Sequence, residues 1–393
     1  MKILFLFCTF LLLYGCQKNN DDNGQSQNND PAKYFFISTL DDNPNIPNST
    51  LTSLNVYNPD LTLKWRKQNM GGGEFSAFLV KDEVVYAALN YNVYALNYST
   101  GSEIWSKLQT QEYIYSMAKK DDTLYCSTDN NTGGAISITA YRASTGALIW
   151  RKPLAAAYPA QYLTIDGNTL YYGAAISQIG NYLYAMDLTT QNIKWSAPLG
   201  ANVGGIYSKT VLTDNRLFLK TAAGKLLAID KSNGNVVWSK TDLSIDRPVL
   251  TANNSIIVST SSFFGVYGFD VNNGNQLWVQ NGPPGAGISA PYISSDGENS
   301  YLAGADTSEC LIKLNAANGN TIWRQNFRNK FLKYPITVGN RTFLVKINDL
   351  NYGYTLISFD ASTGAFKDSV KLSYRFTGIP SVISSSGNYV RPY

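Results

Sequence analysis

The chain has seven tryptophans, Trp65, Trp105, Trp150, Trp195, Trp238, Trp278 and Trp323, spaced 40, 45, 45, 43, 40 and 45 residues apart. Most close the same short phrase, a glycine four residues ahead of the ring, as in "GSEIW", "GALIW", "GNVVW", "GNQLW" and "GNTIW". The glycines are Gly101, Gly146, Gly234, Gly274 and Gly319, while Gln191 stands in that place in one copy. An eighth copy, "FDASTGAFKD", keeps Gly364 but carries Asp368 where the tryptophan would be. A period of this length marks stacked supersecondary units, either propeller blades or helical pairs.

Local chemistry chooses between them. Upstream of the phrase lie β-rich runs such as "VYALN", "LYAMD" and "LLAID", ending in Asn97, Asp187, Asp230, Asp270, Asn315 and Asp360. An acid or amide there bonds backbone amides of the following turn, and the glycine supplies a positive φ without steric cost. Gln191 predicts one strained or differently shaped turn. Earlier in each unit, "DGNTLYY", "DNRLFL" and "GNRTFLV" read as a second hairpin, polar turn residues followed by β-branched or aromatic ones. Two hairpins make a four-stranded meander, the content of one blade. Strands such as "VVYAAL" are apolar on both faces, as expected where sheets stack face to face. No long stretch repeats apolar residues at i, i+3 and i+4, which argues against a helical array.

The expected fold is therefore all-β, an eight-bladed β-propeller of four-stranded antiparallel blades, with seven blades as the alternative. Residues 34–40, 50–57 and 61–68 give three strands without an innermost one. Residues 378–390 give an innermost strand and the start of a second. Pairing the N- and C-terminal strands would close the ring and remove an exposed edge. Pro248, Pro291, Pro335 and Pro380 are placed at the head of the innermost strands, beside the free edge that tolerates a missing N–H. The tryptophans are assigned to packing, each ring filling the wedge between neighbouring blades with its N–H bonded at the margin. Trp65, by the seam, is expected to be the least covered. The alternative is an array of aromatic ligand platforms.

The N-terminal residues stand apart. Residues 1–15, "MKILFLFCTFLLLYG", have the short charged start and apolar core of a secretory leader. Leu13-Tyr14-Gly15-Cys16 resembles a lipobox, which implies acylation of Cys16 and attachment to the membrane through lipid. Residues 16–32 are polar and read as a flexible tether; their opening "CQKNNDD" resembles the acidic export signal of surface lipoproteins. The propeller is assigned to 33–393. These features place the chain at the outer membrane, facing either the periplasm or the cell surface.

Charge and composition exclude several classes. The chain carries 32 basic and 28 acidic residues without a basic run, so nucleic acid is not an expected partner. It has no histidine, which removes Ser-His-Asp and Cys-His catalysis and histidine metal sites. Beyond the leader and Cys16, only Cys126 and Cys310 remain, with no CxxC pair. No cofactor, metal or catalytic residue is assigned.

The phrases "VYALNYSTGSEIW" (93–105) and "LLAIDKSNGNVVW" (226–238) resemble the repeat of the pyrroloquinoline-quinone-type propellers. One class of that family is the quinoprotein dehydrogenases, whose vicinal cysteines and calcium ligands have no counterpart in this sequence. The other holds non-catalytic propellers, including the lipoprotein B component of the outer-membrane barrel-assembly machinery. The resemblance implies a non-enzymatic scaffold or adaptor that binds protein at the outer membrane, in barrel assembly or a surface uptake system. The alternative is a carbohydrate-binding or carboxylate-based carbohydrate-active propeller. Tyr113, Tyr115, Tyr158, Phe263 and Phe264 are the candidate binding-face residues, since such rings could stack on sugars.

Overall fold

The computed structural model describes residues 30–42, 45, 49–108, 112–130, 136–154, 160, 162–176, 180–200, 210–221, 224–241, 249–253, 256–261, 265–281, 289–296, 298–305, 309–327, 331–347, 353–372, 375–387 and 389–390. Every regular element among them is a β-strand. Seven consecutive stretches each fold into a four-stranded antiparallel meander. They are blade 1 (75–108), blade 2 (112–153), blade 3 (164–200), blade 4 (211–240), blade 5 (249–280), blade 6 (289–327) and blade 7 (331–372). Seven sheets thus have the expected four strands rather than eight. The remaining sheet has five strands and is built from both ends of the chain.

The sheets stack face to face. Apolar clusters are shared between neighbours: Leu79 and Ala88 of blade 1 pack with Ile114 and Leu124 of blade 2. Tyr301 and Ala303 of blade 6 likewise pack with Leu344 and Phe359 of blade 7. Because both faces of a middle strand are covered, its residues are apolar in succession, as in Val85–Leu89.

In the five-stranded sheet, Ala32–Asp42 pairs with Thr50–Tyr57 on one side and with Arg375–Ser384 on the other. Phe36 and Ile383 of this sheet pack into blade 1, and Phe35 and Val382 pack into blade 7. The sheet therefore sits between the first and last blades. The expected innermost C-terminal strand is present, and the expected start of a second strand follows it. Tyr389–Val390 turns back and pairs with the opposite edge of Arg375–Ser384, because the position beside it is already held by Ala32–Asp42. The described structure also takes in residues 30–32, inside the expected tether. Asp30 accepts the backbone N–H of Ser386 at 2.9 Å, and Pro31 accepts that of Ser385 at 2.8 Å.

The turns before the last strands of most of the seven meanders share one plan. Asp187 Oδ1 accepts the backbone N–H groups of Thr189 and Thr190 at 2.9 Å, and Asn97, Asp270, Asn315 and Asp360 accept the equivalent pair. In blade 2 Arg142 holds the acid's place, and Asp122 from the adjacent turn accepts the N–H of Ser144 instead, at 2.8 Å. The Gln191 turn keeps the common shape: its N–H reaches the Asp187 carbonyl at 2.8 Å, as the glycines do elsewhere. It does so at φ 60°, a left-handed conformation that strains a residue with a Cβ.

The tryptophan rings join blade to blade. A Cβ on Gly101, Gly146, Gly234, Gly274, Gly319 or Gly364 would stand 2.5–2.9 Å from the tryptophan ring of the preceding sheet. Glycine is thus required twice, for φ and for the ring's close approach. The indole N–H of Trp65, Trp105, Trp195, Trp238, Trp278 and Trp323 donates to a backbone carbonyl of the next blade at 2.8–3.1 Å. Trp65 is joined like the rest and is half-buried. The exception is Trp150, which faces the Gln191 turn and makes no such bond among the described residues.

Candidate functional site

Two ends of the molecule differ in kind. At one end lie the tight turns between first and second strands, such as Asp82-Glu83 and Gly339-Asn340, and the five-residue turns just described. The chain enters at this end, since Asp30 lies against Ser386 and a Cβ at Gly339 would meet the Asp30 carbonyl at 2.6 Å. At the opposite end the last strand of one sheet ends and the first strand of the next begins, the widest gaps in sequence falling between Pro153 and Thr164, Gly200 and Val211, Lys240 and Val249, and Gln280 and Ser289.

At that opposite end the innermost strands are irregular. Register slips at Ser76 in blade 1, at Tyr115 in blade 2, between Ser289 and Tyr292, between Lys333 and Ile336, and between Thr377 and Ser381. Pro291, Pro335 and Pro380 fall inside these bulges rather than at the strand heads, because a bulge is where a missing N–H leaves no ladder bond unmade. Pro248 lies outside the described residues. In blade 2 the bulge takes Tyr115 out of the ladder and leaves it 37% exposed.

Of the candidate residues, Tyr113 and Tyr115 come together, with ring centroids 6.5 Å apart. Tyr158, Phe263, Phe264 and the candidate lipid site Cys16 lie outside the described residues. A third ring joins the pair: Tyr91, in the two-residue turn between Val84–Leu89 and Asn92–Asn97 of blade 1, stands 4.4 Å from Tyr113. Sequence reasoning missed Tyr91, since only the stacking order shows that this turn of one blade meets the first strand of the next. Its signal was a tyrosine at a hairpin tip, where a polar residue is the norm.

Charge surrounds the three rings unevenly. Glu112, nearly buried at the start of the blade 2 inner strand, is paired with Arg151 of its outer strand. Asp129 stands opposite Tyr113 in the ladder, half-buried, and makes no ion pair among the described residues. The Tyr113 phenol is raised above its ordinary range by its hydrogen bond to Tyr91. The Tyr115 phenol is raised by burial first and then by the Asp129 charge. Both rings are therefore neutral phenols at physiological pH. Ser116, next to Tyr115, accepts the backbone N–H of Leu163 at 2.9 Å and ties this corner to blade 3. Among the described residues no group of three or more His, Cys, Asp or Glu could hold a metal ion.

The stacked meanders and their tryptophan-on-glycine joints define a propeller of the pyrroloquinoline-quinone-type repeat class. Within that class, the chain belongs to the family described as outer membrane protein assembly factor BamB, matched over residues 134–265, 180–308 and 262–367. It is 23% identical over 281 residues to the outer membrane protein assembly factor BamB of Moranella endobia, covering 68% of this chain and 69% of that one. It is also 23% identical over 277 residues to the tetrathionate hydrolase of Acidithiobacillus ferrooxidans, covering 64% of this chain and 53% of that one. The chain thus spans about half the length of that hydrolase. In fold it is similar to the crystal structure of BamB from Moraxella catarrhalis, with TM-score 0.56, 17% identity, and coverage of 83% of this chain and 94% of that one. The dihydro-heme d1 dehydrogenase NirN shares the fold at TM-score 0.65 and 12% identity, over 89% of this chain and 75% of that one.

Proposed function

We propose that this chain is a non-catalytic propeller, anchored by lipid at Cys16, that binds protein partners at the outer membrane and serves the assembly of outer-membrane proteins. The observation that carries this reading is the family match, which runs through more than half of the chain. The absence of histidine supports the non-catalytic part, because the commonest general base is missing. We count the five-stranded sheet as the eighth blade of a closed ring, since its two faces share apolar clusters with the first and last blades. The end carrying the long connections is the partner face, because among the described residues the opposite end offers tight, internally satisfied turns. Capture from a gentle detergent extract tests the reading: an outer-membrane protein should be recovered with the full chain. Recovery of the chain alone, as a monodisperse monomer, would overturn it.

A further inference from the structure

We propose that Tyr91, Tyr113, Tyr115 and Asp129 form a receptor for an organic cation, the lysine or arginine side chain of an extended segment in a protein partner. Three tyrosine rings meet across the boundary of blades 1 and 2 at the long-connection end, Tyr115 exposed and the other two half-buried. A cation above the face of such a ring is attracted by the ring quadrupole, which gives roughly a two- to fivefold gain in affinity per exposed contact. Asp129 adds a carboxylate beside the rings, whereas the neighbouring Glu112 already has its charge balanced by Arg151. A neutral ligand would leave that carboxylate unused, so the chemistry favours a positive guest. Bulging of the inner strand is what turns Tyr115 outward, and the Ser116 bond to blade 3 holds the bulge in place. Rings fixed by mutual contact and by backbone lose little freedom on binding, as anchor residues of interfaces do.

The source of the cation rests on the scaffold reading, because a free ammonium compound has the same chemistry. Calorimetric titration of the full mature chain separates the cases. The probes are acetyl-Gly-Arg-Gly-amide, its citrulline counterpart, tetramethylammonium and cellohexaose. The arginine peptide should bind saturably and more weakly as salt rises, while the citrulline peptide should not bind. Asp129→Asn and Tyr113→Ala should each weaken binding at least about twofold to fivefold. Should Tyr113→Ala lower the melting temperature, Tyr115→Ala is the variant to read, since its ring is exposed. Equal binding of the citrulline peptide, binding untouched by Asp129→Asn, or no binding at all would overturn the proposal. Binding of cellohexaose alone would replace the cation with a glycan, and binding of tetramethylammonium without the peptide would replace the side chain with a free cation. Partner capture that persists without peptide binding sinks this inference and spares the scaffold. Peptide binding without any captured partner does the reverse.

Discussion

At the scale of single residues, the tryptophan and the glycine of the next blade are one joint. The ring sits where a Cβ would collide, and its N–H takes a carbonyl at the blade margin. Trp195→Ala, Trp238→Ala and Trp278→Ala should each destabilise by about 3–4 kcal/mol in denaturant melts, near the lower range for a large aromatic because several rings are only half-buried. Trp65→Ala belongs with them. Trp150→Ala should cost less than the others, since its indole lacks the carbonyl bond. The same joint makes a converse prediction: Gln191→Gly should stabilise by about 0.5–1 kcal/mol, relieving the left-handed strain less the added freedom of the unfolded chain. An unchanged or lower midpoint would show that the Gln191 side chain makes a compensating contact. If instead the tryptophan variants keep their midpoints and lose binding, the rings are ligand platforms rather than joints.

At the scale of elements, the turns carry a pH signature. Hydrogen bonds from Ser232, from Thr190 and from Ser362 lower the pKa values of Asp230, Asp187 and Asp360 below the ordinary aspartate value. A depressed folded-state value means the turn contributes fully above about pH 4 and loses its contribution as pH falls through the lower folded values. Melting temperature should therefore drop on going from pH 7 to pH 3. Asn97 and Asn315 build the same turn with a neutral amide, so Asp360→Asn should keep the fold and make that drop smaller. A steeper drop would mean the carboxylate is not the titrating group. These turns were legible in the sequence because acid, spacing and glycine are local signals. Two element-level features were not. In every sheet the residue before the tryptophan position is skipped by the ladder: Ala95 pairs with Trp105 while Leu96 pairs with Glu103, leaving Ile104 bulged and exposed. Such a bulge re-aims the ring, yet in the sequence Ile104 reads as one more core residue. The seam was also half hidden. Asp368 fills no wedge; it is paired with Arg341, and the apolar volume there is supplied by Tyr57 and Leu61 of the five-stranded sheet. That pairing is non-local and leaves no periodic trace.

At the scale of the whole molecule, the path of the chain sets its orientation. The described chain begins at Asp30, against the tight-turn end, while the tyrosine cluster and the long connections lie at the other. Between Cys16 and Asp30 the chain can extend at most roughly 3.3–3.6 Å per residue. A lipid at Cys16 would therefore tether the tight-turn end within reach of the membrane and let the partner face point away from it. Cys16→Ser should abolish labelling by a metabolically supplied fatty acid and release the propeller in soluble form. Its melting temperature should not change, because residues 17–29 are polar throughout and bring no aliphatic or aromatic side chain to pack. If the wild type takes up no label, the anchor is wrong. If the variant melts higher than the lipid-free protein truncated to residues 30–393, the segment before Asp30 contributes packing. Protease added to intact cells then reads the side of the membrane. Cleavage of the propeller while a periplasmic control protein in the same cells stays protected would place the partner face at the cell surface. Protection of the wild type alongside that control would place it in the periplasm, where an assembly scaffold meets its clients before they insert.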